Sequence, residues 1–260
     1  MRVATALVAV VTAVAATTAI AFALALHAVE PVAAVARILA DTAAVGTIGL
    51  AIVPALDDGR RRTEITRLSQ VPLLVVGAVW LVGELLRLVI AAGEAAATPL
   101  AQLSVHAVGE FVLHTVAGRT GLLSVGAATA VCGLAAARNR SASSRVTVAG
   151  AAGVGFAARA VSGHLSESTW GAIAIAMHAL AAAVWCGGLA ALAVTVRHKG
   201  QWARVLPRFS QVSLACVVVV STSGVLGALL ESGSPVTWSA SAHGRLLLAK
   251  VAVLLALVAL

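Results

Sequence analysis

Long apolar runs dominate this chain of 260 residues and decide its fold class. Hydrophobic residues make up 60% of it and charged residues only 11%, whereas a soluble domain carries roughly 25% charged residues. Apolar runs of about 20 residues are typical of helices that cross a bilayer. We place eight such runs at 3–26, 32–56, 71–92, 120–137, 146–162, 170–196, 209–230 and 245–260. The sequence therefore predicts an all-α, polytopic membrane helix bundle of about eight transmembrane helices embedded in the lipid bilayer.

An internal repeat is the second constraint on the fold. The segment Arg67–Val71 (RLSQV) recurs as Arg208–Val212 (RFSQV), and the same shift of 141 positions places Arg37 on His178. Parallel repeats of this kind usually place a transport or binding site where the two copies meet. We therefore predict two parallel repeats of four transmembrane helices each. The first covers 1–145, with a long outward loop at 93–119, and the second covers 146–260.

The distribution of positive charge predicts the orientation of the bundle. Basic residues cluster in alternate loops, which the positive-inside rule assigns to the cytoplasm. These residues are Arg60, Arg61, Arg62 and Arg67, then Arg138, Arg140 and Arg145, and then Arg197, Lys199, Arg204 and Arg208. We therefore predict a multi-pass protein of the cytoplasmic membrane with its N-terminus in the cytoplasm. The net charge of +8 is explained by these loops and does not indicate a nucleic-acid partner.

The two ends of the chain carry further expectations. The run 3–26 fits either a cleaved signal peptide or a helix, and its length favours a retained helix. The run 245–260 stops while it is still apolar, so we expect the protein to continue beyond Leu260.

Histidines concentrate on the outward side of this predicted topology. His106, Glu110 and His114 are spaced by four residues, so a helical loop would place all three on one stripe. His164 lies in the next outward loop. Neutral imidazole is a common ligand of copper, zinc, iron and nickel. These residues are candidate metal ligands, and the alternative for the stripe is an amphipathic helix at the membrane surface.

One histidine lies inside a predicted transmembrane helix. His178 is about two turns from the outward end of 170–196, where an ionisable side chain is costly unless it faces protein, water or a ligand. Trp185 follows on the same face, and Gly187 and Gly188 permit the close approach of another helix. We predict a metal ligand where the repeats meet, with a hydrogen bond across the bundle as the alternative.

Five charged residues also fall within the predicted membrane helices, in the middle or outer half of the bilayer. They are Arg37, Asp41, Glu84, Arg87 and Arg159. Lipid cannot solvate them, so they must form ion pairs or line a wet cavity. Simple pairing of Asp41 with Arg37, one turn apart, and of Glu84 with Arg87 is one interpretation. A polar vestibule that takes part in transport is the other.

Several short motifs in the second half are similar to a known family. With them the chain resembles the CopD family of bacterial copper-resistance membrane proteins, most clearly over 178–250. The motifs are His178-Ala-Leu-Ala-Ala-Ala-Val-Trp185-Cys-Gly187-Gly188-Leu189, Arg208-Phe209-Ser210, Ser223-Gly224-Val225 and Gly244-Arg245-Leu-Leu-Leu-Ala-Lys250.

The resemblance implies an inner-membrane protein that moves copper ions inward, often together with a small periplasmic copper carrier of the CopC type. Similar domains are also joined to a module for cytochrome oxidase assembly. Within the motif, the positions that match the family are His178, Trp185, Gly187 and Gly188.

Three functions remain open at this point. The first is a transporter that captures copper with outward histidines, holds it at His178 and passes it inward, with Cys186 and Cys216 deeper along the route. The second is a copper-binding assembly factor for cytochrome oxidase that does not transport. The third is a haem-b electron carrier, which needs a second axial ligand besides His178. No nucleotide-binding or hydrolase motif occurs in the sequence, so we expect no enzyme.

Overall fold

The computed structural model describes residues 31–57, 62–137, 142–162 and 168–232. These residues form α-helices joined by short turns and two single-turn 3-10 helices, and no strand occurs among them. The all-α fold class is therefore confirmed.

Seven α-helices make up the described part of the chain. They are α1 (Pro31–Ile52), α2 (Arg62–Ala95), α3 (Val105–His114), α4 (Val116–Ala136), α5 (Ala142–Ala160), α6 (Thr169–Thr195) and α7 (Lys199–Ser232). The 3-10 turns Val53–Leu56 and Leu100–Gln102 follow α1 and α2.

Five of the described helices are long and apolar enough to cross a membrane: α1 with its 3-10 turn, α2, α4, α6 and α7. They correspond to five of the predicted runs. The run 146–162 is helical as α5 but does not meet the same criterion, because Arg145 and Arg159 interrupt its apolar stretch. The runs 3–26 and 245–260 lie outside the described residues, so the predicted count of eight remains a prediction.

Two predicted boundaries are wrong by more than a turn. Helices α2 and α7 are each 34 residues long and begin about ten residues before the apolar runs. Each contains a proline, Pro72 or Pro207, in its early turns without ending there. Polar residues before each proline continue the helix beyond the apolar part, so hydropathy alone underestimated its length.

The predicted outward loop 93–119 is largely helical. Helix α2 extends to Ala95, α3 fills Val105–His114, and α4 begins at Val116. The Thr115 hydroxyl accepts a hydrogen bond from Gly118 N at 2.9 Å, which caps α4 and separates it from α3. Helix α3 packs against both α2 and α4, so this segment is not an extended loop.

Helix α1 has the central position in the bundle. It packs most extensively against α2 and α6, while α7 packs on α6, and α4 lies between α2 and α5. Helices α1 and α2 form one pair, and α6 and α7 form a second pair. The contact of α1 with α6 joins these two pairs.

The α1–α6 contact is a backbone-to-backbone approach between glycines. A methyl group on Gly49 would overlap the Gly187 carbonyl, and one on Gly187 would overlap the Val45 carbonyl. Gly187 and the neighbouring Gly188 are both buried. The prediction that these glycines permit close helix approach is confirmed, and the contact follows the small-residue packing of membrane helices.

One glycine of α2 and one glycine of α7 occupy equivalent positions in the two helix pairs. The 141-residue shift relates Gly83 of α2 to Gly224 of α7. A Cβ atom on Gly83 would lie 3.0 Å from Ala40 of α1, and one on Gly224 would lie 3.6 Å from the His178 ring of α6. The two helix pairs thus share a packing feature that agrees with a repeat, and the repeat itself stays a prediction.

The turn after α1 and the turn before α7 meet at one end of the bundle. Asp57, which is 1% exposed, has its Oδ1 3.4 Å from Nε of Arg204. Arg62 and Arg208 donate to the carbonyl oxygens of Asp57 and Leu56 at 3.3 and 3.1 Å. Two of the predicted cytoplasmic basic clusters therefore lie at the same end, as the topology requires.

We predict that Gly187→Ala destabilises the protein by about 1–3 kcal/mol, because the added methyl group forces α1 and α6 apart. Thermal unfolding of the purified protein in detergent measures the effect. Gly133→Ala in α4 is the matched control, since no atom lies within 4 Å of its added Cβ. Equal unfolding temperatures for the two variants would contradict the close contact.

Candidate functional site

A buried ion cluster joins three helices near the end of the bundle that holds α3. Glu84 of α2 is 1% exposed and lies about 16 Å along the helix from Ala95. Its Oε1 is 3.5 Å from Arg87 Nη1, and its Oε2 is 3.2 Å from Arg159 Nε of α5. Arg87 Nη1 also donates to Asp41 Oδ1 of α1 at 2.5 Å.

The contact of Glu84 with Arg159 is ionic rather than hydrogen-bonded. Although the two atoms lie 3.2 Å apart, neither makes a well-aligned hydrogen bond. Arg159 instead donates from Nη1 to the Ala117 carbonyl of α4 at 3.3 Å. The guanidinium therefore bridges α2 and α4, and it lies 3.1 Å from where a Cβ on Gly121 would be.

The observed pairing corrects the simplest interpretation of these charges. Asp41 was expected to pair with Arg37, one turn away on α1, but it pairs with Arg87 of α2. The expected pair of Glu84 with Arg87 is present. The Asp41 side chain is about half exposed, whereas Arg87 is largely buried between Asp41 and Glu84, so the buried guanidinium is the group that needs a partner from each helix.

Arg37 lines a small cavity and forms no ion pair among the described residues. The cavity has a volume of about 60 Å³, and the charged side chains that line it are those of Arg37, Arg87, Arg159 and Glu94. It lies at the end of the bundle where α1 begins and α2 ends, and a role in transport for this polar region stays a prediction.

His178 lies between α6 and α7. Its Nδ1 is 3.1 Å from the Val220 carbonyl oxygen and 3.3 Å from Ser223 Oγ. The residue is exposed on its other side. It is about 14 Å along α6 from Thr169, a depth similar to that of Glu84 in α2.

The hydrogen bonds of His178 define its tautomer. The Val220 carbonyl can only accept, so Nδ1 carries the proton of the neutral ring. The hydroxyl of Ser223 donates to the Val219 carbonyl at 2.5 Å and can accept from the ring. The lone pair of Nε2 is therefore available for a metal, as in metal-binding histidines whose other nitrogen donates to a carbonyl.

The expected position of His178 where the repeats meet is not the observed one. Its ring contacts α7, whereas Gly187 forms the contact with α1. The two residues are nine positions apart, which is about two and a half helical turns, so they lie on opposite faces of α6. A helix with its glycine toward α1 must turn His178 away from that interface.

Helix α3 carries the predicted stripe of outward ligands. The condition for a stripe is met, since His106, Glu110 and His114 all lie in α3. Glu110 Oε2 is 3.6 Å from His114 Nε2, and both side chains are more than half exposed. His106 does not join this pair in the structure.

The described ranges contain no assembled group of three or more His, Cys, Asp or Glu side chains that could hold a metal. The stripe on α3 is therefore a pair plus a separate histidine. His164 lies outside the described residues. Trp185 packs against the core, and Gly188 accommodates Phe209 of α7, whose Cε2 would be 2.6 Å from an added Cβ.

Two features of these sites were missed by reasoning from the sequence. Ser223 is the side-chain partner of His178, and its only signal was the Ser223-Gly224-Val225 motif shared with the resembled family. Glu94 lines the cavity of Arg37. Glu94 is a single charged residue near the end of an apolar run, and the sequence alone did not indicate that it would line a cavity.

We predict that Glu84→Ala destabilises the fold by about 3–5 kcal/mol, because it leaves Arg87 and Arg159 with too few counter-charges in a buried site. Unfolding in detergent, followed by circular dichroism, measures the change. Glu94→Ala is the control, because this carboxylate is exposed and makes no ion pair among the described residues. A loss of stability that is equal in both variants would contradict the structural role of the cluster.

Two protein-family models match the chain. Residues 27–169, more than half of the sequence, match the model described as copper resistance protein D-like, N-terminal domain. Residues 203–260 match the model described as copper resistance protein D. No curated protein and no solved structure matches the chain.

The matched segments can be compared with the sites. The first contains the whole ion cluster and α3, and the second contains Ser223. His178 and its neighbouring motif lie between the two segments, and so the resemblance of 178–202 rests on the quoted residues alone. Neither match tests the predicted repeat boundary at 145. With matches over both parts and five helices able to span a bilayer, the chain belongs to the copper resistance protein D family of multi-pass membrane proteins.

Proposed function

We propose that this protein moves copper ions across the cytoplasmic membrane after capture by outward-facing histidines. The observation that carries the proposal is His178, an imidazole within a membrane helix whose Nδ1 is oriented by the Val220 carbonyl. The family supplies the cargo, since its members are described as copper resistance proteins. Copper is thus the substrate of the proposed transport.

Capture begins at the surface helix α3. The side chains of Glu110 and His114 are exposed and 3.6 Å apart, and His106 lies two turns before His114 on the same helix. Imidazole and carboxylate together can bind a divalent ion weakly. Weak binding suits a first site, because the ion must leave it to proceed.

His178 holds the ion in the second step. Nε2 is the free nitrogen of the ring, and it points away from the hydrogen bond that fixes the tautomer. One imidazole does not complete a copper site. The remaining outward histidines of the sequence, including His164, lie outside the described residues and are the candidates to complete it.

The inward part of the path follows the α6–α7 groove. Cys186 of α6 and Cys216 of α7 carry free thiols, and in the proposed orientation both lie on the cytoplasmic side of His178. Thiolate sulfur is a preferred ligand of copper(I). Rocking of the two halves about the Gly49–Gly187 contact would pass the ion inward.

The proposal includes an orientation and two partners. In the proposed orientation the basic turn with Arg62, Arg204 and Arg208 faces the cytoplasm, as the positive-inside rule favours, with the N-terminus on the same side and α3 outside. A periplasmic copper carrier of the CopC type would deliver the ion to α3. A cytochrome oxidase assembly module, joined to similar domains in related bacteria, is the second proposed partner.

An assembly factor that binds copper without moving it is the competing function. The ion cluster favours neither alternative, because Glu84, Arg87 and Arg159 stabilise the bundle in both. In a transporter, copper would pass along the space between α6 and α7. In an assembly factor, copper would stay bound there. This difference can be measured directly.

We predict that wild-type protein in detergent binds copper at a site that His178→Ala removes. Ser223→Ala should weaken the same site roughly tenfold, because it removes an outer partner of the ligand. Equilibrium titration with copper, followed by dialysis and metal analysis, measures both effects. His198→Ala is the matched control, since this histidine lies in the turn before α7, at the other end of the bundle. Unchanged stoichiometry in His178→Ala would remove the proposed site.

We further predict that proteoliposomes with wild-type protein accumulate copper above their equilibrium binding capacity, and that those with His178→Ala do not. Copper retained after rapid filtration, compared with binding to the same amount of protein in detergent, gives the answer. Accumulation equal to binding capacity in the wild type would identify a store and favour the assembly factor.

A further inference from the structure

We propose that the cavity formed by Arg37, Arg87 and Arg159 binds a compact monovalent anion, of the size and charge of chloride or a small carboxylate. The site lies among α1, α2 and α5, apart from the proposed copper route between α6 and α7. The inference goes beyond the proposed function and does not depend on it.

Three guanidinium groups from three helices line this one cavity. Arg37 comes from α1, Arg87 from α2 and Arg159 from α5. Arg87 and Arg159 are each less than 15% exposed, whereas Arg37 is exposed and lies at the opening. Guanidinium N–H groups are strong donors to anions and cannot lose their charge in proteins. The cavity is therefore built from anion-binding groups.

The carboxylates of the ion cluster do not reach Arg37. Asp41 contacts Arg87, and Glu84 contacts Arg87 and Arg159, so both carboxylates are taken by the two buried arginines. Among the described residues, Arg37 has no hydrogen bond and no ion pair. Its guanidinium, at the opening of the cavity, is therefore available to donate to an anion that enters.

Among the described residues, Glu94 is the one carboxylate in the lining of this cavity, and it is a weak competitor for Arg37. It is exposed, and it makes no ion pair in the described part of the chain. Its charge lowers the affinity of the cavity for an anion without filling the cavity. Removal of Glu94 should therefore strengthen anion binding, whereas removal of Arg37 should weaken it.

The size and the charge of the cavity limit which anions can bind there. A cavity of about 60 Å³ holds only a few water molecules, so it admits chloride or formate but not gluconate. The three positive charges repel copper ions, which excludes this cavity from the cation route. A lipid phosphate offers the same acceptor chemistry from the bilayer side, and the experiment must separate these two sources.

The test uses the full protein, free of copper, in nanodiscs of zwitterionic lipid. Chloride replaces gluconate at constant ionic strength, and the thermal unfolding temperature is recorded at each step. We expect a saturable increase in wild type. The apparent Kd should rise roughly tenfold or more in Arg37→Gln, which loses a charge-assisted contact, and fall in Glu94→Gln.

Two controls define the outcomes. Arg119→Gln changes an exposed arginine that donates to the Leu113 carbonyl at 2.8 Å outside this cavity, and it should titrate like wild type. A chloride response that is linear, or equal in wild type and Arg37→Gln, would overturn the proposal. If Arg37→Gln fails to fold, Glu94→Gln decides. A chloride Kd in Glu94→Gln that is equal to or higher than that of wild type would then overturn the proposal.

A second arm identifies the source of the anion. Nanodiscs that contain phosphatidylglycerol, held at low chloride, should leave wild type as unstable as in zwitterionic lipid. Stabilisation by phosphatidylglycerol that chloride does not reproduce would contradict a compact free anion and assign the cavity to a lipid headgroup. Since no copper is present, the result is independent of copper transport.

Discussion

The contact of Glu84 with arginines from two helices is the interaction on which the first half of the bundle depends. Lipid cannot solvate a carboxylate, so Glu84 is buried only because Arg87 and Arg159 reach it from α2 and α5. Arg87 in turn holds Asp41, which fixes α1 against α2. The position of α1 then determines where its glycine contact with α6 can form. The buried charge and the glycine contact are thus linked through α1, which takes part in both.

The two ionisable sites differ in their chemistry. The shift of 141 residues relates Arg37 to His178 in the sequence. The charged neighbours of Arg37 in its cavity are two arginines and Glu94. The partners of His178 are a carbonyl and a hydroxyl, from Val220 and Ser223. Neutral oxygen partners suit an imidazole that binds a metal cation, whereas the arginine cavity repels such a cation.

Much of the fold follows from the sequence because lipid imposes simple rules. Apolar runs predicted α1, α4 and α6 within a few residues, since each needs about 20 apolar residues to cross a bilayer. The close approach at Gly187 was predicted from residue size. The partner of Asp41 and the direction of His178 were wrong, because both depend on how helices rotate against one another. That rotation is set by contacts between residues far apart in the sequence, such as Gly49 with Gly187. The hydropathy pattern does not predict such contacts.

The central claim is that copper binds to Nε2 of His178 between α6 and α7. X-ray absorption spectroscopy of copper-loaded protein tests it most directly, because the outer-shell scattering of an imidazole identifies a histidine ligand. The account predicts imidazole scattering in wild type and in His198→Ala, and its loss or marked decrease in His178→Ala. Identical spectra from wild type and His178→Ala, at equal copper loading, would contradict the account.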